Sequence, residues 1–175
     1  MDEAALRTRS DVETYGWHVA KIAGDDQAPP WAFSIGLEHN FDHPEVLVFG
    51  MELPLLHNLI NHIGEQVKRG QRFDPRGTED DDGYRPQGVL AHHPPALRRV
   101  QPRWYGPFVG NAAVFYRERP FRVLQCFWPD AQGCLPWEQG FAPEWHGRQP
   151  LLYLDDEAAA LGPELAQVLR AEGAL

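Results

Sequence analysis

The chain has 175 residues, 43% of them hydrophobic, with six Trp and nine Phe. That length and composition suit one folded domain able to bury roughly 70% of its unfolded surface, and they exclude a disordered chain. The formal charge of −9 argues against nucleic acid or an anionic membrane as the main partner, because phosphate recognition needs a surplus of Lys and Arg, yet it leaves room for a local basic patch.

Residues 2–14 predict a short helix. A strand follows, with Trp17 and Val19 on one face and His18, Ala20 and Ile22 on the other. Gly24-Asp25-Asp26 supplies a turn, and Ala28-Pro29-Pro30 stiffens the approach to the next strand. There Trp31, Phe33 and Ile35 alternate with Ala32 and Ser34, so the two runs are expected to pair as an antiparallel hairpin. His18 is expected to line the core, its ring nitrogens on backbone partners. Gly36 ends the second run. Val46 to Phe49 is a continuous apolar run of strand length, expected to be covered on both faces. Between these strands lies a polar elbow, Glu38 to Glu45, with five ionisable side chains. A rigid scaffold presents chemistry on such a loop.

From about Pro54 to Arg69 the pattern is helical, with Leu55, Leu56, Leu59, Ile60, Ile63 and Val67 near one face and Gly70 just past the end. His57 and His62 fall off that stripe. Residues 74–86 form a polar, acidic loop, and its consecutive Asp80, Asp81 and Asp82 lack the alternation of a calcium loop. Val89-Leu90-Ala91 is expected to be a short strand. Residues 96–117 supply apolar bulk, but Gly106-Pro107 and Gly110 are expected to prevent one continuous helix. Phe121 to Trp128 reads as a strand, with Phe121, Val123, Gln125 and Phe127 on one face. Pro129 to Gly133 is a turn, Leu151 to Leu154 a last short strand, and Asp155 to Arg170 a helix interrupted at Gly162-Pro163. The fold class is therefore α+β: a mostly antiparallel sheet packed by a helix near residues 54–69 and short flanking helices. One domain is expected over residues 1–175, with a helical tail at 155–175.

Cys126 and Cys134 are too few for a disulfide scaffold and lack metal-ligand spacing. The start of the chain has no apolar leader segment, and no apolar run approaches the roughly 18 residues of a membrane span. A soluble cytoplasmic protein with free thiols is expected.

Tyr15-Gly16-Trp17-His18, Gly36-Leu37, His43-Pro44-Glu45, Gly50, Gln125, Trp128-Pro129-Asp130, Gly133 and Pro136-Trp137 together resemble the bacterial family DUF4262 over roughly residues 12–152. The resemblance implies a compact α+β domain of the cytoplasm and carries no reaction. Ser34 stands where the family often has Thr, which keeps the hydroxyl.

Three polar groups draw attention: His43 with Glu45, Gln125 on its strand face, and Asp130 in the Trp-Pro-Asp turn. His43 and Glu45, two apart, would point the same way in extended chain, as in an acid/base pair. The same pair could instead stabilise a bend, and Asp130 could simply bond its own turn. Zinc would need three or four converging ligands; His39, His43, Glu45, His92 and His93 are the candidates, and no metal or other cofactor is expected. No nucleophile elbow, phosphate loop or dinucleotide fingerprint occurs.

Two functions follow. One is a binding module for a small polar ligand or a partner peptide, in an aromatic cleft walled by Trp17, Trp31, Trp128 and Trp137, with His18, His43, Glu45, Gln125 and Asp130 as polar contacts. The other is a cofactor-independent acid/base enzyme, hydrolase-like, using His43, Glu45 and Asp130. Both expect those polar groups to converge on one concave surface, because a buried Gln125 amide needs a polar partner and the elbow is the nearest supply.

Overall fold

The computed structural model describes residues 2–74 and 83–175. Asp80, Asp81 and Asp82, and with them most of the acidic loop, lie outside the described residues. Helix α1 (Glu3–Tyr15) is N-capped by Asp2, whose carboxylate accepts from the Ala4 amide. Strands β1 (His18–Ile22) and β2 (Trp31–Ile35) form the expected antiparallel hairpin, with His18 opposite Ile35. β2 pairs antiparallel with β3 (Glu45–Phe49), every residue of which is buried. β3 pairs parallel with β5 (Val123–Phe127), and β4 (Ala96–Arg99) closes the far edge antiparallel to β5. The sheet order is therefore β1-β2-β3-β5-β4, a mixed sheet that is mostly antiparallel, as expected, with the one parallel pairing between β3 and β5.

Side chains alternate across this sheet and build two cores. On one face Val19, Ala32, Val46, Val48, Leu124 and Cys126 meet α3 (Leu53–Lys68) through Leu56, Leu59, Ile60, Ile63 and Val67. Gly64 of α3 lets the helix lie against the Trp17 ring; a Cβ there would come within 2.6 Å of it. Leu55 is not part of this stripe: it is 55% exposed, one position ahead of the buried Leu56. On the other face Phe33, Ile35, Leu47, Phe49 and Val123 meet α4 (Tyr105–Tyr116) and α5 (Glu157–Ala171).

Two local expectations are corrected. Val89 to Ala91 is bend rather than strand, and the edge position beside β5 goes to Ala96–Arg99. Leu151 to Leu154 makes no ladder, because its backbone is spent on scattered partners: the Leu151 amide donates to the Ala160 carbonyl, the Leu152 amide to Gln125 Oε1, and the Leu154 carbonyl accepts from the Trp104 indole. The break expected around Gly106-Pro107 and Gly110 appears as a kink at Val109 (φ −132°, ψ 35°), where two helical pieces join to make α4; Pro107 sits in the first turn, where no amide donor is needed. A one-turn helix, α2 (Leu37–Phe41), occupies the start of the polar elbow and ends at Asp42, before His43 and Pro44. α5 kinks at Gly162, next to Pro163, as the sequence indicated. No described helix is long and apolar enough to cross a membrane.

Candidate functional site

The five ionisable groups of the elbow have separate fates. Glu38 is gripped by Arg122, whose Nε and Nη2 donate to its two carboxylate oxygens at 3.0 and 2.7 Å. Arg122 also pairs with Asp42 and Asp74, both at 3.3 Å. His43 is fully buried and packs edge-on against Phe73. Its Nε2 accepts from the Phe73 amide at 3.0 Å, so the proton sits on Nδ1, which donates to the Pro44 carbonyl at 2.8 Å. Burial lowers its pKa below the ordinary histidine value, against the raising effect of the Pro44 bond and of Asp74.

Glu45 is also fully buried, but toward α4. The Ser34 hydroxyl donates to its Oε2 at 2.5 Å, while Oε1 accepts from the Gly36 amide at 2.8 Å, the Glu38 amide at 3.3 Å and the Tyr116 hydroxyl. Gly36 adopts φ +117° and lies against the Gly16 carbonyl and Val12, a position that suits glycine and aims its amide at the carboxylate. Burial pushes the Glu45 carboxyl up to about 7, and the four donors only partly offset it. Burial and the neighbouring Glu45 charge push the Tyr116 hydroxyl up as well. The partners of His43 and those of Glu45 have no residue in common, so the two do not form an oriented acid/base pair.

The remaining predicted residues are dispersed. Gln125 is buried, yet it bridges the Pro150 carbonyl (2.6 Å) and the Leu152 amide (3.2 Å), with no bond to the elbow. Asp130 caps its own turn, accepting from the amides of Gln132, Cys134 and Ala142. Loss of solvent opposes its ionisation, but the bonds from Cys134, Ala142 and Gln132 prevail and hold its carboxyl below the usual range. His18 does not line the core on backbone partners; it is half-buried, and its Nδ1–H donates to the Asp11 carboxylate at 2.7 Å. The tryptophans do not share a cleft. Trp17 is buried under α3 with its indole N–H on Asn61, Trp31 bonds the Phe108 carbonyl on the α4 side, and Trp128 bonds the Phe49 carbonyl. Trp137 packs on Phe127 and Tyr153 beyond the sheet edge, with Arg98 against its ring. The expected convergence of His43, Glu45, Gln125 and Asp130 therefore does not occur. Among the described residues no three His, Cys, Asp or Glu side chains gather as metal ligands would.

An open groove of about 900 Å³ lies instead where α1, α2 and the end of α4 meet. It is lined by Arg9, His39, Phe115, Tyr116, Arg117 and Arg119, with Glu13 and Glu118 also at its wall. Arg119 Nη1 donates to His39 Nδ1 at 3.4 Å; a guanidinium can only donate, so the His39 proton is on Nε2. Tyr116 joins the groove to the buried carboxylate, its hydroxyl donating to Glu45 and accepting from the His39 amide at 3.2 Å. Arg117 is strained. Its φ of 57° and ψ of −119° place it where a type II′ turn favours glycine, and the Arg119 amide closes that turn on the Tyr116 carbonyl at 3.0 Å. Such a conformation costs about 1–3 kcal/mol and concentrates at functional sites. Sequence reasoning missed Arg9, Tyr116, Arg117 and Arg119. The only local signal was Arg117-Glu118-Arg119-Pro120, a charged run straight after an apolar one.

These features define the class: an α+β domain whose mixed sheet lies between helical layers, with a polar groove at the sheet end where β3 begins. The chain belongs to the DUF4262 family, described as a domain of unknown function, whose profile matches residues 11–142. No curated protein and no solved structure matches it.

Proposed function

We propose that this domain is a binding module for a small polar ligand, held in the groove between α1, α2 and the end of α4. One observation carries the reading. The side chains of His43, Glu45, Gln125 and Asp130 are consumed by internal hydrogen bonds, whereas the groove is of small-ligand size and offers polar side chains with a strained arginine at its rim. The aromatic cleft of the sequence reading is replaced by this site. Phe115 supplies an apolar wall, its ring edge-on to His39 at 5.9 Å. Cytoplasmic residence belongs to the same proposal, supported by two free cysteines, Cys126 buried and Cys134 half-buried. A library of small polar compounds, followed through the protein's amide NMR spectrum, tests it. Binders are expected to shift His39 and Phe115 to Arg119 together. Binders that shift only residues elsewhere would refute the assignment.

A second reading has its own support. Glu45 is a buried carboxylate pushed up to about 7 and bonded to Tyr116, which reaches the groove wall. Perturbed carboxylates of this kind mark acid/base sites. An enzyme built here would pass a proton between Glu45 and a groove-bound substrate through the Tyr116 hydroxyl, with His43 and Asp130 in structural roles. Tyr116→Phe separates the two readings: it abolishes turnover in an enzyme and leaves ligand affinity within about threefold in a binder that does not use the hydroxyl.

A further inference from the structure

We infer that the ligand of this groove presents an oxyanion, a carboxylate or a phosphate, to the arginines. This rests on the binding reading and gives the ligand its chemical class. Arg9, Arg117 and Arg119 reach the groove from two elements, α1 and the turn after α4. Among the described residues none of the three has a carboxylate partner within ion-pair distance, although Glu13 and Glu118 stand at the same wall. Arg122, by contrast, is fully engaged with Glu38, Asp42 and Asp74. Other described arginines, such as Arg7 and Arg148, also have no carboxylate within ion-pair distance; what sets Arg9, Arg117 and Arg119 apart is that the three meet at one groove, in a chain of formal charge −9. Two of the three have fixed backbone or side-chain positions. The strained turn sets the Arg117 backbone alone, whereas the Arg119 guanidinium is itself anchored, by its Nε to the Tyr116 carbonyl at 3.3 Å and over the Tyr116 ring. Guanidinium forks match the planar, two-oxygen edge of a carboxylate or phosphate, and holding them in place lowers the entropy lost on binding. His39 adds a donor, because its Nδ1 accepts from Arg119 and its Nε2–H has no partner among the described residues. The Phe115 ring then suits an apolar body behind the anionic end.

The test uses probes of one scaffold and different charge: benzoate, phenyl phosphate, benzamide and benzylamine, titrated into the full chain and followed by amide NMR. Benzoate or phenyl phosphate is expected to shift His39 and Phe115 to Arg119, and their relative affinity tells carboxylate from phosphate. Arg9→Gln and Arg119→Gln, each with an otherwise unchanged spectrum, are expected to weaken that binding roughly tenfold or more. A tenfold rise in salt should weaken it further, since the site is open to solvent. If benzamide binds the same residues as tightly as the anions, the oxyanion inference fails and the binding reading stands. If no probe moves these residues up to millimolar concentration, the oxyanion inference fails, and the compound library alone then decides the binding reading.

Discussion

Glu45→Gln isolates the energetics of the buried carboxyl that joins the sheet to the groove. The glutamine keeps shape and hydrogen-bonding length but cannot ionise. In the folded chain the Glu45 carboxyl is raised from 4.5 to about 7. Below the unfolded value both states are protonated and the group makes no pH-dependent difference. As pH rises from there toward 7, the unfolded chain releases its proton while the folded chain retains it, so stability falls. The shift from 4.5 to about 7 corresponds to about 3 kcal/mol, nearly all of it lost by neutral pH. The difference between wild type and E45Q cancels the other titrating groups. Urea denaturation at a series of pH values should show E45Q gaining on wild type by about 3 kcal/mol between pH values of about 4 and 8. Gln Oε1 can keep the donors from Gly36, Glu38 and Tyr116, and one amide hydrogen can donate to the Ser34 oxygen; the Ser34 hydroxyl hydrogen loses its acceptor, a pH-independent cost that lowers E45Q at every pH and leaves the slope unchanged. The opposite slope, with wild type gaining on E45Q as pH rises, would mean that the four donors outweigh burial and hold Glu45 ionised. That result would sink the argument.

Arg117→Gly removes the positive-φ strain and is expected to stabilise the fold by about 1 kcal/mol in urea denaturation, after allowing for glycine's greater unfolded entropy; a loss of stability would show that the arginine side chain has a structural role. Gln125→Leu strands the Pro150 carbonyl and the Leu152 amide and should cost about 2–4 kcal/mol by the same assay, whereas a cost below about 1 kcal/mol would mean that this bridge is dispensable. Burial holds the folded His43 pKa below its unfolded value of 6.5. The unfolded chain therefore takes up the proton first as pH falls through that value, and the histidine's contribution to stability is lost toward acid. Protonation also removes the acceptor of the Phe73 amide, so that amide should lose hydrogen-exchange protection at acid pH before the Gly36 amide does; simultaneous loss would contradict this.

Much of the fold was legible because periodicity reports local burial directly. The alternation of Trp31, Phe33 and Ile35 and the apolar run of Val46 to Phe49 fixed two central strands. The Leu56, Leu59, Ile60, Ile63 stripe fixed α3 and the face it buries. Short segments were not legible. Val89 to Ala91 and Leu151 to Leu154 look like strands locally, but a strand exists only where a neighbour's backbone is free to pair, and β5 had already taken Ala96–Arg99. The break in α4 was legible from Gly106-Pro107 and Gly110, but its place, the kink at Val109, was not.

The site divides in the same way. Sequence alone singled out His43, Glu45, Gln125 and Asp130 and expected burial for Gln125; all four are at 6% exposure or less, as are Ser34 and Gln149, which it did not single out. It could not determine whether they meet, because a buried polar group needs a partner and nothing local says which one. Gln125 found the backbone at Pro150 and Leu152, and Asp130 found its own turn. His43 and Glu45 lie two residues apart, yet one turns to Phe73 and the other to Tyr116. The groove belongs entirely to the tertiary structure. Arg9 lies more than a hundred positions from Arg117 and Arg119, and only the docking of α1 beside the end of α4 brings the three cations to one opening.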